Sequence, residues 1–271
     1  MKIVELKKIE NSTRIGDRCS AFEPNITEDS LFIENNEVIG FYIRELPEKA
    51  RKLVEIANIE FRSDRVPKSL LERSDTILLA TIGGMKRSEA RKLTTVQMSS
   101  IIGSIPPKPH FKRNYATKSS VHSVASASVF IKAMALLCKE AEKIVKELMP
   151  EQYDRQKKLI EQIDEKWRFG NLFTSSISNY NISAPFHIDK ANLVGCSNVI
   201  ITKRHSAKGG NLHIPDYGVT IDSADNSMLF YPAWRNVHGV TPIEPLNENG
   251  YRNSLIFYPL KSFVGLDGET E

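Results

Sequence analysis

Two periodicities divide the chain near residue 170. In the first part, apolar residues mostly recur at helical spacing. After Gly170 they come in short β-rich runs. Near the start, LFIE at Leu31 and VIGFYIR from Val38 read as two strands, and Asn35-Asn36-Glu37 between them suits a hairpin turn. From Leu46, the sequence LPEKARKLVEIANIEF carries Leu53, Ile56, Ala57 and Phe61 on one face, with Pro47 in the first turn, and predicts an amphipathic helix. A second helix is predicted from about Ser126 to Leu148, on the stripe Phe130, Met134, Leu137, Ala141 and Val145. A third runs from about Glu151 to Trp167, with Pro150 at the break. Between Ser63 and Ser123 neither period is visible. A connection that long has a function of its own or holds short elements without a clear pattern.

After Gly170 the runs LFTSSI, CSNVIITK, NLHIP, YGVTI, SMLFYP, VHGVTPI and RNSLIFYP are separated by turn signals such as Lys208-Gly209-Gly210. That spacing predicts an all-β sandwich or barrel in this half. The expected organisation is one domain over 1–271, with a mixed α/β part at 1–170 and a β-rich core at 171–271.

A hydrophobic fraction of 41% and a charged fraction of 26% are ordinary for a globular protein. No apolar run reaches the ~18 residues needed to span a membrane, and MKIVELKKIENS has no signal-peptide core. A cytoplasmic protein is expected. Cys19, Cys138 and Cys196 are scattered and read as small buried residues. The net charge of +4 is unevenly spread: Lys86 to Lys118 holds eight basic residues and one acidic one, Glu89. Such a stretch suits a phosphate-backbone binder, although charge alone fits a solvated basic loop slightly better.

The chemistry-bearing residues cluster in the β-rich half. His187-Ile188-Asp189 on a strand would turn both polar side chains to one side, and His238 from a distant strand would complete a two-histidine, one-carboxylate triad. Such a triad leaves the open metal positions that a non-haem Fe(II) oxygenase needs for a chelating co-substrate and O2. Arg252 and Ser254, on a following strand, would share a face and could hold a carboxylate. His110, His122 and His213 read as structural or surface groups. His205, in the basic loop Lys203-Arg204-His205, reads the same way, with a substrate contact as the alternative.

The segments FTSSISNYN, PFHIDKANL, GGNLHIPDYGVTI, NVHGVTPI and GYRNSLIFYPLKSF, from about Phe173 to Phe263, resemble the catalytic core of the TET/JBP oxygenases (ten-eleven-translocation and base-J-binding proteins), in their compact phage and bacterial form. PPKPHFKR and SSVHS extend the resemblance more weakly upstream. It implies an α+β chain with a double-stranded β-helix (jelly-roll, cupin-like) core and the N-terminal helices packed against it. It also implies Fe(II) on His187, Asp189 and His238, 2-oxoglutarate held by Arg252 and Ser254, and O2 as oxidant. The implied reaction is hydrogen abstraction and hydroxylation at the 5-methyl group of a pyrimidine base in DNA, 5-methylcytosine before thymine. Asn192 matches a base-contacting asparagine and Tyr258 an aromatic at the base pocket. Two departures bear on the substrate: SMLFYPAWRNVHG replaces a glycine-containing turn before the distal histidine, and Leu260 stands where some members carry a polar side chain.

A duplex substrate would need its base flipped into the pocket. Lys112 and Arg113, with Phe111, Tyr115 and Lys203-Arg204-His205, would then meet phosphates and bases. The competing readings are a hydroxylase of a small molecule or protein side chain on the same barrel, and a non-catalytic DNA-binding module.

Overall fold

The computed structural model describes residues 1–71, 84–86, 89 and 96–266, without the side chains of Leu71 and Phe111. The hairpin near the start forms as β2 (Ser30–Glu34) and β3 (Glu37–Ile43), and Asn35 and Asn36 take left-handed φ values of 50° and 65°. Asparagine tolerates that region, and a two-residue turn with both centres there matches the strand twist. The helices are α1 (Glu48–Arg62), α2 (Ser128–Leu148) and α3 (Pro150–Ile160). The third is shorter than its apolar spacing suggests. Beyond it, Asp164 accepts from the Lys166 N–H at 2.8 Å and starts a separate 3-10 turn, Glu165–Trp167, in place of continued helix.

The stretch 63–123 contains strands that its composition hides: β4 (Ser69–Leu71), the nine-residue β5 (Gln97–Ile105) and β6 (Thr117–Lys118). β5 lies against β7 (Ser175–Tyr180), pairing Ser100 with Ser178 and Ile102 with Ser176. Small buried serines on β5 replace the apolar alternation that would have announced it.

The remaining strands are β1 (Lys2–Glu5), β8 (Ala184–His187), β9 (Asn198–His205), β10 (Ala207–Gly209), β11 (Leu212–Ile214), β12 (Val219–Ile221), β13 (Ser227–Tyr231), β14 (His238–Val240), β15 (Ile243–Pro245) and β16 (Tyr251–Tyr258). Among the described residues they form a large sheet in the order β1-β2-β3-β13-β9-β16-β7-β5-β4 with β6 beside β5, a four-stranded sheet β12-β11-β14-β8, and the pair β10-β15. Among the described strands only β1 and β2 pair in parallel. The fold is an α+β jelly roll. Lys203, Arg204 and His205 therefore lie on β9 and not in a loop. Lys203 pairs with Glu55 at 2.9 Å and Asp225 at 3.2 Å, and Arg204 pairs with Asp222 at 3.2 Å.

Alternation on the central strands gives the large sheet two different faces. Val199, Ile201, Phe230, Leu255 and Phe257 face outward and join Val54, Phe61, Phe130 and Leu137 of α1 and α2 in the main core. The intervening residues face inward in cross-strand rows. Asn179, Ser254, Thr202 and Ser227 make one row; Ile177, Ile256, Ile200, Leu229 and Tyr42 make the next. All nine line one internal cavity of about 450 Å³.

The helix layer is tied to the sheet by Glu142. Its buried carboxylate accepts from the backbone N–H of Asn171 (2.5 Å) and Leu172 (3.0 Å) and from Asn171 Nδ2 (2.9 Å). Gly170 turns there with φ +70°, and a Cβ on it would sit 2.4 Å from Glu142 Oε1. Glu142→Ala strands two backbone donors and is expected to cost about 2–5 kcal/mol. A fall in the urea midpoint with an unchanged slope would record it.

Candidate active site

β8 ends on His187, which stands directly across from His238 at the start of β14, and their ring centroids are 4.4 Å apart. Asp189 lies just past the end of β8, so strand alternation is not what aims it. Its N–H donates to the Ala233 carbonyl at 3.1 Å, and its Oδ1 reaches to 3.4 Å from His187 Nε2. One ligand atom from each of His187, Asp189 and His238 lies within 4.8 Å of the others.

The hydrogen bonds around the triad leave one atom per residue for a metal. His187 Nδ1 is 2.8 Å from the Pro185 carbonyl and His238 Nδ1 is 3.0 Å from the Asn236 carbonyl. A carbonyl only accepts, so each Nδ1 carries the proton and each Nε2 keeps its lone pair. Asp189 Oδ2 accepts from Asn198 Nδ2 at 3.0 Å and from Asn192 Nδ2 at 3.3 Å, and Oδ1 is left over. Two imidazole nitrogens and one carboxylate oxygen suit Fe(II).

The charges agree with that use. The Asp189 carboxylate beside Nε2 favours the protonated imidazole and raises the His187 pKa. Burial pushes Asp189 upward, but the nearness of His187 and His238 and the hydrogen bond from Asn198 outweigh it and hold the carboxyl below its usual range. Burial, then His187, lowers His238 and keeps it neutral.

At the other end of the cavity Arg252 is 4% exposed. Its Nη1 donates to Ser254 Oγ at 3.2 Å and its Nη2 to Ser223 Oγ at 3.3 Å, while its Nε has no partner. Burial, then the charge of Arg204, brings its pKa down to about 10. Among the described residues no carboxylate pairs with it. A buried guanidinium met only by hydroxyls is costly unless an anion arrives, so this end fits a ligand carboxylate. Gly210 makes room for the arginine: a Cβ there would lie 2.7 Å from Arg252 Cδ.

Asn192 and Tyr258 line the same cavity as the triad, Arg252 and Ser254. Asn192 spends its amide N–H groups on Asp189 and on Asn198 Oδ1 (2.9 Å). Lys112 and Arg113 do not line it. Both sit in the loop closed by the Lys108–Arg113 bridge. Lys112 is exposed, and the Arg113 guanidinium turns back to the Pro106 carbonyl. Of the basic stretch, Arg87, Arg91 and Lys92 lie outside the described residues, as does the Phe111 side chain. His122 accepts the Gly103 N–H at 2.8 Å, and His213 stacks on Phe22 with centroids 3.8 Å apart. Sequence reasoning missed Asn198 and Ser223. Asn198 shares the inward face of β9 with Ile200 and Thr202, the one signal that could have marked it.

The family model Tet_JBP, described as the oxygenase domain of the 2OGFeDO superfamily, matches residues 108–261. Among solved structures, NgTET1 in complex with 5mC DNA is similar over 92% of this chain and 84% of that one, with a TM-score of 0.58 and 11% identity, a likeness of fold. No curated protein matches the sequence.

Asn198 holds both Asp189 and Asn192, so its loss should loosen the carboxylate. Asn198→Ala is expected to weaken metal binding about 10- to 100-fold, the usual effect of losing such an outer partner. Titration with Fe(II) under anaerobic conditions checks this, and unaltered affinity would show that Asp189 holds its position alone.

Proposed function

The chain belongs to the Tet_JBP family of 2-oxoglutarate- and Fe(II)-dependent oxygenases, and from that premise we propose that it oxidises the 5-methyl group of a pyrimidine base in DNA, 5-methylcytosine in preference to thymine. In this reading His187, Asp189 and His238 hold Fe(II), and Arg252 and Ser254 hold the distal carboxylate of 2-oxoglutarate. The observation that carries it is the buried Arg252 guanidinium, paired with no carboxylate among the described residues, in the same cavity as the triad. Bound there with 2-oxoglutarate and O2, Fe(II) supplies the oxidising power needed at a methyl C–H bond.

The protein supplies position and dryness. The apolar row Ile177, Ile256, Ile200 and Leu229 keeps water from the middle of the cavity between the triad and Arg252. Asp189 and the two Nε2 atoms fix the metal, and Tyr258 and Leu260 form an apolar wall for a flipped base. DNA as substrate is supported by the family and by the name of the similar structure, a complex with 5mC DNA.

Asn192 supports cytosine over thymine. With its N–H groups fixed on Asp189 and Asn198, the amide offers the cavity only its carbonyl oxygen. An acceptor there suits the exocyclic amine of cytosine and is mismatched to the carbonyl that thymine carries at that position.

Nucleosides from methylated duplex DNA, treated with enzyme, Fe(II) and 2-oxoglutarate, should include oxidised 5-methylcytosine by mass spectrometry. The product should vanish in His187→Ala, Asp189→Ala and His238→Ala. Succinate formed without any modified nucleoside would point to a small-molecule or protein substrate instead.

The exposed Lys108 and Lys112, next to the half-exposed Tyr115, are the residues we assign to phosphates. Replacing both with Glu should lower DNA affinity and flatten its log–log salt dependence by up to about two units, leaving 2-oxoglutarate binding intact. A salt titration of the double variant against wild type gives the answer, and equal slopes would move the DNA path to another face.

A further inference from the structure

Two buried donor atoms that line the central cavity lack any hydrogen-bond partner among the described residues: Arg252 Nε and the hydroxyl of Tyr42. The first belongs to the carboxylate end already described. The second comes from β3, which precedes the family-matched residues 108–261 and extends the large sheet beyond β13. Tyr42 stands opposite Leu229 and ends the row Ile177, Ile256, Ile200, Leu229. Its four companions are apolar, and a phenylalanine would serve packing equally well. A buried hydroxyl without a partner is destabilising, so its presence calls for a ligand.

Among the described residues no acceptor takes the proton. Arg44 and Ser227 approach the phenol oxygen closely enough to act on it as donors, which works to lower its pKa, but neither reaches full hydrogen-bond geometry and neither accepts its proton. Ser227 donates to the Ala224 carbonyl at 2.7 Å. Asp222, the nearby carboxylate, is matched by Arg44 at 2.9 Å and Arg204 at 3.2 Å. Burial, and after it the charge of Asp222, raises the phenol pKa, so the group remains a donor. Ser223, adjacent to Asp222, bonds Arg252 Nη2, which links the two ends of this polar corner.

We propose that Tyr42 donates a hydrogen bond to the distal carboxylate of 2-oxoglutarate, completing with Arg252 a clamp built from both the family core and the N-terminal hairpin. The proposal rests on the reading of Arg252 given above. A carboxylate offers about four lone-pair directions, more than one guanidinium edge occupies.

The test is calorimetric titration of the full chain, loaded with Mn(II) in place of Fe(II), with 2-oxoglutarate and separately with pyruvate, a 2-oxo acid that lacks the distal carboxylate. Tyr42→Phe should weaken 2-oxoglutarate about 10- to 100-fold, as for a hydrogen bond to a charged group, and leave pyruvate and metal stoichiometry unaltered. The ligand-free melting temperature should stay level or rise, because among the described residues no acceptor takes the hydroxyl's proton. An unchanged 2-oxoglutarate constant overturns the proposal, as does an equal loss for both acids, which would put the hydroxyl at the metal end. Arg252→Ala run in parallel separates the two readings. If it too leaves 2-oxoglutarate binding unchanged, the arginine assignment has failed; if only Tyr42→Phe is silent, the arginine assignment stands without Tyr42.

Discussion

The central strands of the large sheet meet two opposite demands, and strict side-chain alternation is what reconciles them. Odd-numbered positions of β9 and β16 (Val199, Ile201, Leu255, Phe257) are packed against α1 and α2, while even-numbered ones (Ile200, Thr202, Arg252, Ser254, Ile256) line the cavity. A slip of one residue between β9 and β16 would send Arg252 and Ser254 into the helix layer and a phenylalanine into the cavity. The pairing that builds the core is therefore also the pairing that builds the site. Ser223 and Gly210 then trim the space around Arg252 from the facing side.

The cavity has a charge logic of its own. In the proposed arrangement Fe(II), the Asp189 carboxylate, the Arg252 guanidinium and a doubly ionised 2-oxoglutarate have formal charges that cancel. Burying charge is tolerable when it is matched in this way, and costly when any one member is missing. Without ligands, the matching is incomplete at both ends: Arg252 is met by hydroxyls and Asp189 leans on His187. Asn198 and the Pro185 and Asn236 carbonyls hold the metal end in shape without adding charge.

Much of this was legible in the sequence, and the gaps have physical causes. His187, Asp189, His238, Arg252 and Ser254 could be singled out because a metal site and an arginine clamp demand particular residue types at strand-compatible spacing. The helices α1 and α2 announced themselves through long apolar stripes. β5 did not, since its buried face is largely serine and glycine, which composition assigns to loops. Asp189 was expected on a strand, yet it is held by a backbone bond from the following turn to Ala233, a contact between distant segments that no local pattern encodes. Asn198 and Tyr42 looked like ordinary strand residues, because their roles arise only where β9 and β3 meet the cavity. The Lys203-Arg204-His205 stretch looked like a basic loop for the converse reason: its partners are remote in sequence, Glu55 on α1 and Asp222 and Asp225 in the connection between β12 and β13.

The large sheet also bears on how this protein could be dissected. The family match starts at residue 108, but β13 has β3 on one side and β7 has β5 on its own outer side. A fragment cut to the matched residues would uncover the backbone donors and acceptors of two strands at once. Unpaired edges of that kind recruit further strands from other molecules. Such a fragment, with every residue of the proposed iron triad intact, would be prone to aggregate before it could bind anything, so in this chain the smallest folding unit is larger than the smallest catalytic one.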